Sequence, residues 1–91
     1  MALTSKERAA LRAKAHHLSP KLHIGKEGVT DPVLQTLDDV LRTQELVKVA
    51  LTKQAEDEPK ELAHALAQAM RADVVQVIGR TLTLFREKEE E

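Results

Sequence analysis

The chain has 91 residues, 42% hydrophobic and 32% charged, a size and composition that suit one globular domain with a single small core. No run of about eighteen apolar residues occurs, so no transmembrane helix is expected, and the charges at Lys6, Glu7, Arg8, Arg12 and Lys14 exclude the apolar centre of a signal peptide. The absence of cysteine removes disulfides and thiolate chemistry and fits a cytoplasmic setting.

Thr4 and Glu7 match the Thr-x-x-Glu capping box, so a helix is expected to begin there. Leu11, Ala15 and Leu18 lie at i, i+4 and i+7 and form one apolar stripe, which leaves Lys6, Arg8, Arg12 and Lys14 for the remaining surface. Ser19-Pro20 ends this helix. Residues 21–24 read as a short strand with Leu22 and Ile24 facing one way and His23 the other. Gly25-Lys26-Glu27-Gly28 follows directly, then a second helix capped by Thr30 or Asp31, with Pro32 in its first turn. Val33, Leu34, Leu37, Val40 and Leu41 give that helix a broad apolar face.

Residues 45–51, Glu-Leu-Val-Lys-Val-Ala-Leu, have the length and β-branched content of a strand. An acidic loop at 56–60 feeds a third helix, striped by Leu62, Ala63, Leu66, Ala67 and Met70. Residues 74–86 read as a hairpin around Gly79-Arg80, with glycine at the first central position as a type II′ turn prefers. The Thr-Leu-Thr-Leu alternation at 81–84 predicts one face on the core and the other toward water or a partner. The expectation is therefore an α/β domain of order α-β-α-β-α-β-β, with three helices and a mixed four-stranded sheet. Helix-length crossovers allow parallel pairing among the first three strands, and the hairpin is antiparallel. Residues 1–86 form the domain, and residues 87–91, Glu-Lys-Glu-Glu-Glu, a solvated acidic tail.

Charge is unevenly distributed. Residues 1–30 hold six Lys and Arg against two Glu, a balance of +4, with three of the four histidines in addition; a formal net charge of -1 then leaves -5 for the remainder. A basic segment on an acidic protein can meet phosphates locally. The same segment holds Gly25 and Gly28, two of only three glycines. A strand, a Gly-x-x-Gly turn and a helix N-terminus in succession can aim backbone N–H groups at one anion, glycine letting a phosphate approach without a Cβ in the way. Lys26 at the tip adds a charge contact. Glu27 beside a phosphate costs about 1 kcal/mol in water, so which way it points matters.

The loop lacks the third glycine of a dinucleotide fingerprint and the Gly-Lys-Ser/Thr ending of a nucleotide-triphosphate loop, so no bound nucleotide or other cofactor is expected. It fits the Gly-x-x-Gly pattern with which KH domains clamp a nucleic-acid backbone. His16, His17, His23 and His64 show no metal-ligand spacing, and Asp38 and Asp39, about 100° apart around a helix, cannot converge on one substrate atom. Neither catalysis nor a metal site is expected. Phe85 is the single aromatic residue, so bases cannot be read by a row of stacking rings.

Together and in this order, Leu-Thr-Ser-Lys-Glu-Arg at 3–8, Ile-Gly-Lys-Glu-Gly-Val-Thr at 24–30, Glu-Leu-Val-Lys-Val at 45–49 and the hairpin at 74–86 resemble the YhbY family. This is the bacterial single-domain form of the CRM (chloroplast RNA splicing and ribosome maturation) domain, and the likeness runs from about residue 3 to residue 86. The resemblance implies an RNA-binding domain, akin in shape to KH domains, that associates with rRNA of precursors of the large (50S) ribosomal subunit; a monomer with neither a small-molecule substrate nor a membrane as partner is expected. By position it implies RNA contacts at Gly25, Lys26, Glu27 and Gly28, on a basic first helix through Lys6, Arg8, Arg12 and Lys14, and at Arg80 and Arg86. Two other readings suit the same charge: an adaptor whose basic helix docks on an acidic protein, and a protein that shapes duplex DNA.

Overall fold

The Thr4 hydroxyl accepts from the Glu7 N–H at 3.1 Å while the Glu7 carboxylate accepts from the Thr4 N–H at 3.0 Å, so the capping box starts a helix where expected. This helix, α1 (Ser5–Ala15), opens the computed structural model, which describes residues 3–87. There follow β1 (Leu22–Ile24), α2 (Asp31–Gln44), β2 (Leu46–Leu51), α3 (Pro59–Met70), β3 (Asp73–Ile78) and β4 (Thr81–Phe85). The expected order and the mixed four-stranded sheet are both present. Strands lie in the order β1-β2-β4-β3, with β1 parallel to β2, and β4 antiparallel to both β2 and β3. The acidic tail lies, apart from the exposed Glu87, outside the described residues.

The sheet is covered on both faces, unequally. On one face Ile24, Val47, Val49, Leu82 and Leu84 pack against Leu37 and Leu41 of α2 and Leu62, Ala63 and Leu66 of α3 in the main core. Each fully buried leucine there contributes about 2 kcal/mol of transfer free energy. On the other face Leu46 and Val75 pack with Ala15 of α1, flanked by Leu3, Leu11, Leu18 and Phe85. Phe85 is thus half-buried among α1 side chains.

A bulge decides what β3 shows to each side. Val74 pairs with Leu84 and Gln76 with Thr83, so Val75 is the extra residue. Val74 and Val77 consequently join the main core, while Val75 joins the α1 cluster. Gln76 and Ile78 then fall on the α1 side of the sheet, opposite Thr83 and Thr81.

Two features differ from the sequence expectation, and a third residue, Arg86, has a structural role that the sequence did not show. The α1 helix stops at Ala15, because His17 and Leu18 donate to the carbonyls of Lys14 and Ala15 and tighten the last turn. Thr83, expected to face water or a partner, is 1% exposed; it lies on the face that α1 occupies, and only Thr81 of that alternation is half-open. Arg86, expected in the RNA surface, is bound into the fold. Its Nη1 donates to Asp38 Oδ1 at 2.8 Å and to the Met70 carbonyl at 3.0 Å, and its Nη2 to the Asp38 carbonyl at 3.0 Å. These bonds tie the end of β4 to both α2 and α3. Arg42 Nη2 lies 3.1 Å from the second Asp38 oxygen, and the hydrogen bond from Arg86, with the two positive charges, holds the Asp38 carboxyl below its usual range.

Candidate nucleic-acid interface

The chain leaves β1 at Ile24 and turns at once. The Gly28 N–H donates to the Gly25 carbonyl at 3.0 Å, closing a four-residue turn with Lys26 and Glu27 exposed at its tip. Gly28 has φ +69°, a left-handed conformation that requires its missing Cβ, whereas a Cβ on Gly25 would meet Thr52 Oγ1 at 3.3 Å. One glycine therefore serves backbone conformation and the other close packing. The Gly28 N–H points inward to the turn, so it is not among the amides open to an anion. Thr30 then caps α2, its hydroxyl accepting from the Val33 N–H at 3.4 Å.

Thr52, just past β2, joins this loop to the hairpin. Its N–H donates to the Ile24 carbonyl at 2.9 Å, and its own carbonyl accepts from Arg80 Nη1 at 3.0 Å. The Leu51 N–H in turn donates to the Arg80 carbonyl at 2.7 Å. Gly79 takes φ +55°, as a two-residue turn with glycine first demands, and sets the exposed Arg80 over the end of β2. Lys26 and Arg80, 54 positions apart in the chain, thus come to one pole of the sheet, with the exposed Lys53 in the same β2–α3 loop.

The loop is electrostatically two-sided. Its Gly25 side rests on Thr52 and so on Arg80, while its Gly28 side has Asp57 Oδ2 3.5 Å from the position of a Cβ.

The basic residues of α1 stand elsewhere. This helix covers Leu46, whereas the loop adjoins Leu51, the partner of Ile24 in the β1–β2 register. Five residues of strand separate them, about 17 Å. Lys6, Arg12 and Lys14 are exposed; Arg8 is only half so, and its Nε is buried with no hydrogen-bond partner. Arg8 precedes Leu11 by three residues and Ala15 by seven, so it belongs to the stripe that faces the sheet. The structure thus brings Lys26 and Arg80 to one end of the sheet, leaves Lys6, Arg8, Arg12 and Lys14 along α1, and places Arg86 with neither. Sequence reasoning passed over Lys53 and Lys48, whose positions become informative only once the loop and strand pairings are known.

Among the described residues, none of Lys6, Arg8, Arg12, Lys14, Lys26, Lys48, Lys53 or Arg80 stands in an ion pair; the ion pairs there join Arg42 and Arg86 to Asp38. Among the same residues, no three His, Asp or Glu side chains gather in a way that could hold a metal ion, and no helix is long and apolar enough to cross a membrane.

Fold and site together define a small α/β domain with a glycine-bracketed loop at a strand–helix junction and, on the loop and on α1, cations without ion pairs among the described residues. The chain belongs to the CRS1/YhbY (CRM) domain family, whose model matches residues 3–86. It is 39% identical over 88 residues to the probable RNA-binding protein YqeI of Bacillus subtilis, covering 97% of this chain and 92% of that one. It is 44% identical over 89 residues to a probable RNA-binding protein of Methanocaldococcus jannaschii, covering 96% of this chain and 66% of the longer relative. The solution structure of a Staphylococcus aureus protein superposes with a TM-score of 0.82 at 40% identity, covering 97% of this chain and 92% of the other.

Proposed function

We propose that this protein binds RNA and serves as an accessory factor in maturation of the large (50S) ribosomal subunit, acting on rRNA of its precursor by binding rather than by chemistry, as a cytoplasmic monomer. The observation that carries the reading is that Thr52 links Gly25 of the loop to Arg80, which brings Lys26 and Arg80 to one end of the sheet, neither with a counter-ion among the described residues. Support also comes from the relatives named as RNA-binding proteins. In this reading Gly28 holds the turn, Gly25 lets it lie against Thr52, and Lys26 and Arg80 each meet a phosphate oxygen. Glu27, with Asp57, marks the side from which RNA is repelled. Lys6, Arg8, Arg12 and Lys14 supply the second contact region, and Arg86 is left to its structural role.

Recognition then rests on backbone charge and RNA shape, because the single aromatic ring, Phe85, is half-buried against the α1 cluster and no row of rings is present to stack on bases. The test is binding to structured rRNA fragments and to matched duplex DNA across a salt series. Lys26→Ala and Arg80→Ala each lower the slope of log affinity against log salt by about one unit, uniformly across sequences. Equal affinity for duplex DNA, slopes unchanged in both variants, or an association that survives RNA digestion would remove this reading in favour of a DNA or protein partner.

A further inference from the structure

The α1 helix covers only part of its face of the sheet. Toward the loop, His23, Lys48, Ala50, Thr81 and Ile78 share that face by strand alternation and register: His23 pairs with Ala50, Ala50 with Thr81, and Thr81 with Ile78. All five are exposed or half-exposed, and Ile78, at 60%, is the exposed large hydrophobic residue of the described chain. This uncovered floor lies between the part of the sheet that α1 covers and Arg80 at the hairpin.

Its charge is of one sign. No carboxylate stands among the five, and Lys48 occupies the middle of β2 between the buried Val47 and Val49 with no ion-pair partner among the described residues. Lys21 begins the ladder beside it, its N–H donating to the Lys48 carbonyl at 2.9 Å. Lys48 lies two residues from Leu46 and three from Leu51, so it divides the span of about 17 Å into steps of about 7 and 10 Å. A polyanion held at α1 and at the loop would otherwise cross an uncharged gap.

Resting on the RNA-binding reading, we propose that the uncovered half of the sheet is the path of the RNA backbone between α1 and the glycine loop, with Lys48 contacting a phosphate midway and Ile78 packing against a sugar. The two contacts differ in kind and so in signature. A phosphate contact releases a counterion on binding; an apolar one does not.

The experiment compares wild type, Lys48→Ala, Ile78→Ser and, as a control on the far face, Lys60→Ala in α3, all verified as folded by circular dichroism. Binding to a structured rRNA fragment is measured from 50 to 200 mM salt. Lys48→Ala lowers the salt slope by about one unit, so the wild-type advantage shrinks about fourfold across that range. Ile78→Ser weakens binding at every salt concentration with the slope unchanged, and Lys60→Ala matches wild type. In the wild-type protein, RNA shifts the amide resonances of His23, Ala50 and Thr81. Should wild type bind RNA while Lys48→Ala and Ile78→Ser behave as Lys60→Ala does, the path over the sheet is refuted and the loop-and-helix reading stands. Should wild type bind no RNA, both fall together.

Discussion

Replacing Gly28 with alanine separates the two jobs a glycine can do in this loop. The residue sits at φ +69°, and its new Cβ would stand 3.5 Å from Asp57 Oδ2, an ordinary contact. The cost is therefore conformational, about 1–2 kcal/mol for an L-residue in the left-handed region, reduced by the lower entropy of the unfolded chain, for a net loss of about 1 kcal/mol. In a domain of this size that lowers the melting temperature by about 4–8 °C. Gly25→Ala is the paired control: its backbone is not left-handed, and its Cβ meets Thr52 Oγ1 at 3.3 Å, so a few tenths of an ångström of movement absorbs it. Its effect lies within about 0.5 kcal/mol of zero. Gly28→Asn, which tolerates the left-handed region, recovers part of the loss. Thermal and guanidinium unfolding followed by circular dichroism measure all three variants. If Gly28→Ala is as stable as wild type, or if Gly25→Ala is the more damaging, the assignment of turn and packing roles is refuted.

The buried Thr83 hydroxyl has no hydrogen-bond partner, so Thr83→Val, nearly the same shape, should stabilise the protein by about 1 kcal/mol in chemical denaturation; a loss would mean that the hydroxyl is satisfied. The Asp38 carboxyl lies below its ordinary value of 3.8, first because of the hydrogen bond from Arg86. A lowered folded value means that the unfolded chain binds the proton more readily, so the Asp38 contribution is complete above about pH 4 and is lost as pH falls through the folded value. Asp38→Asn should accordingly lower the melting temperature at neutral pH and flatten its decline as pH falls below about 4; an unchanged acid limb would refute the pairing. Arg86→Met should lower stability while leaving the salt slope of RNA binding at the wild-type value, since its guanidinium is held by Asp38 and the Met70 carbonyl. A reduced slope in the folded variant would return Arg86 to the RNA surface.

Local signals carried most of the element order. The capping box at Thr4 and Glu7, Thr30 before Asp31-Pro32, and Gly79 at the hairpin each specify backbone geometry within a few residues, so they are readable without knowing what the chain packs against. The apolar stripes of α2 and α3 likewise name their buried faces, because helical periodicity is set by the backbone. Gly25-Lys26-Glu27-Gly28 was legible as a turn with a charged tip for the same reason.

Pairing across the sheet was not legible, because it joins residues far apart in sequence. Only the register of β2 with β1 and β4 puts Arg80 against Thr52 and hence beside Lys26, and only the bulge at Val75 turns Gln76 and Ile78 to the α1 side. Arg80 and Arg86 look alike as basic residues of one hairpin, yet they lie at opposite ends of β4, where one meets the loop and the other Asp38. Which cations are left free for a ligand depends on which carboxylates and carbonyls the fold brings to them. That is a property of the packed chain, and no local pattern records it.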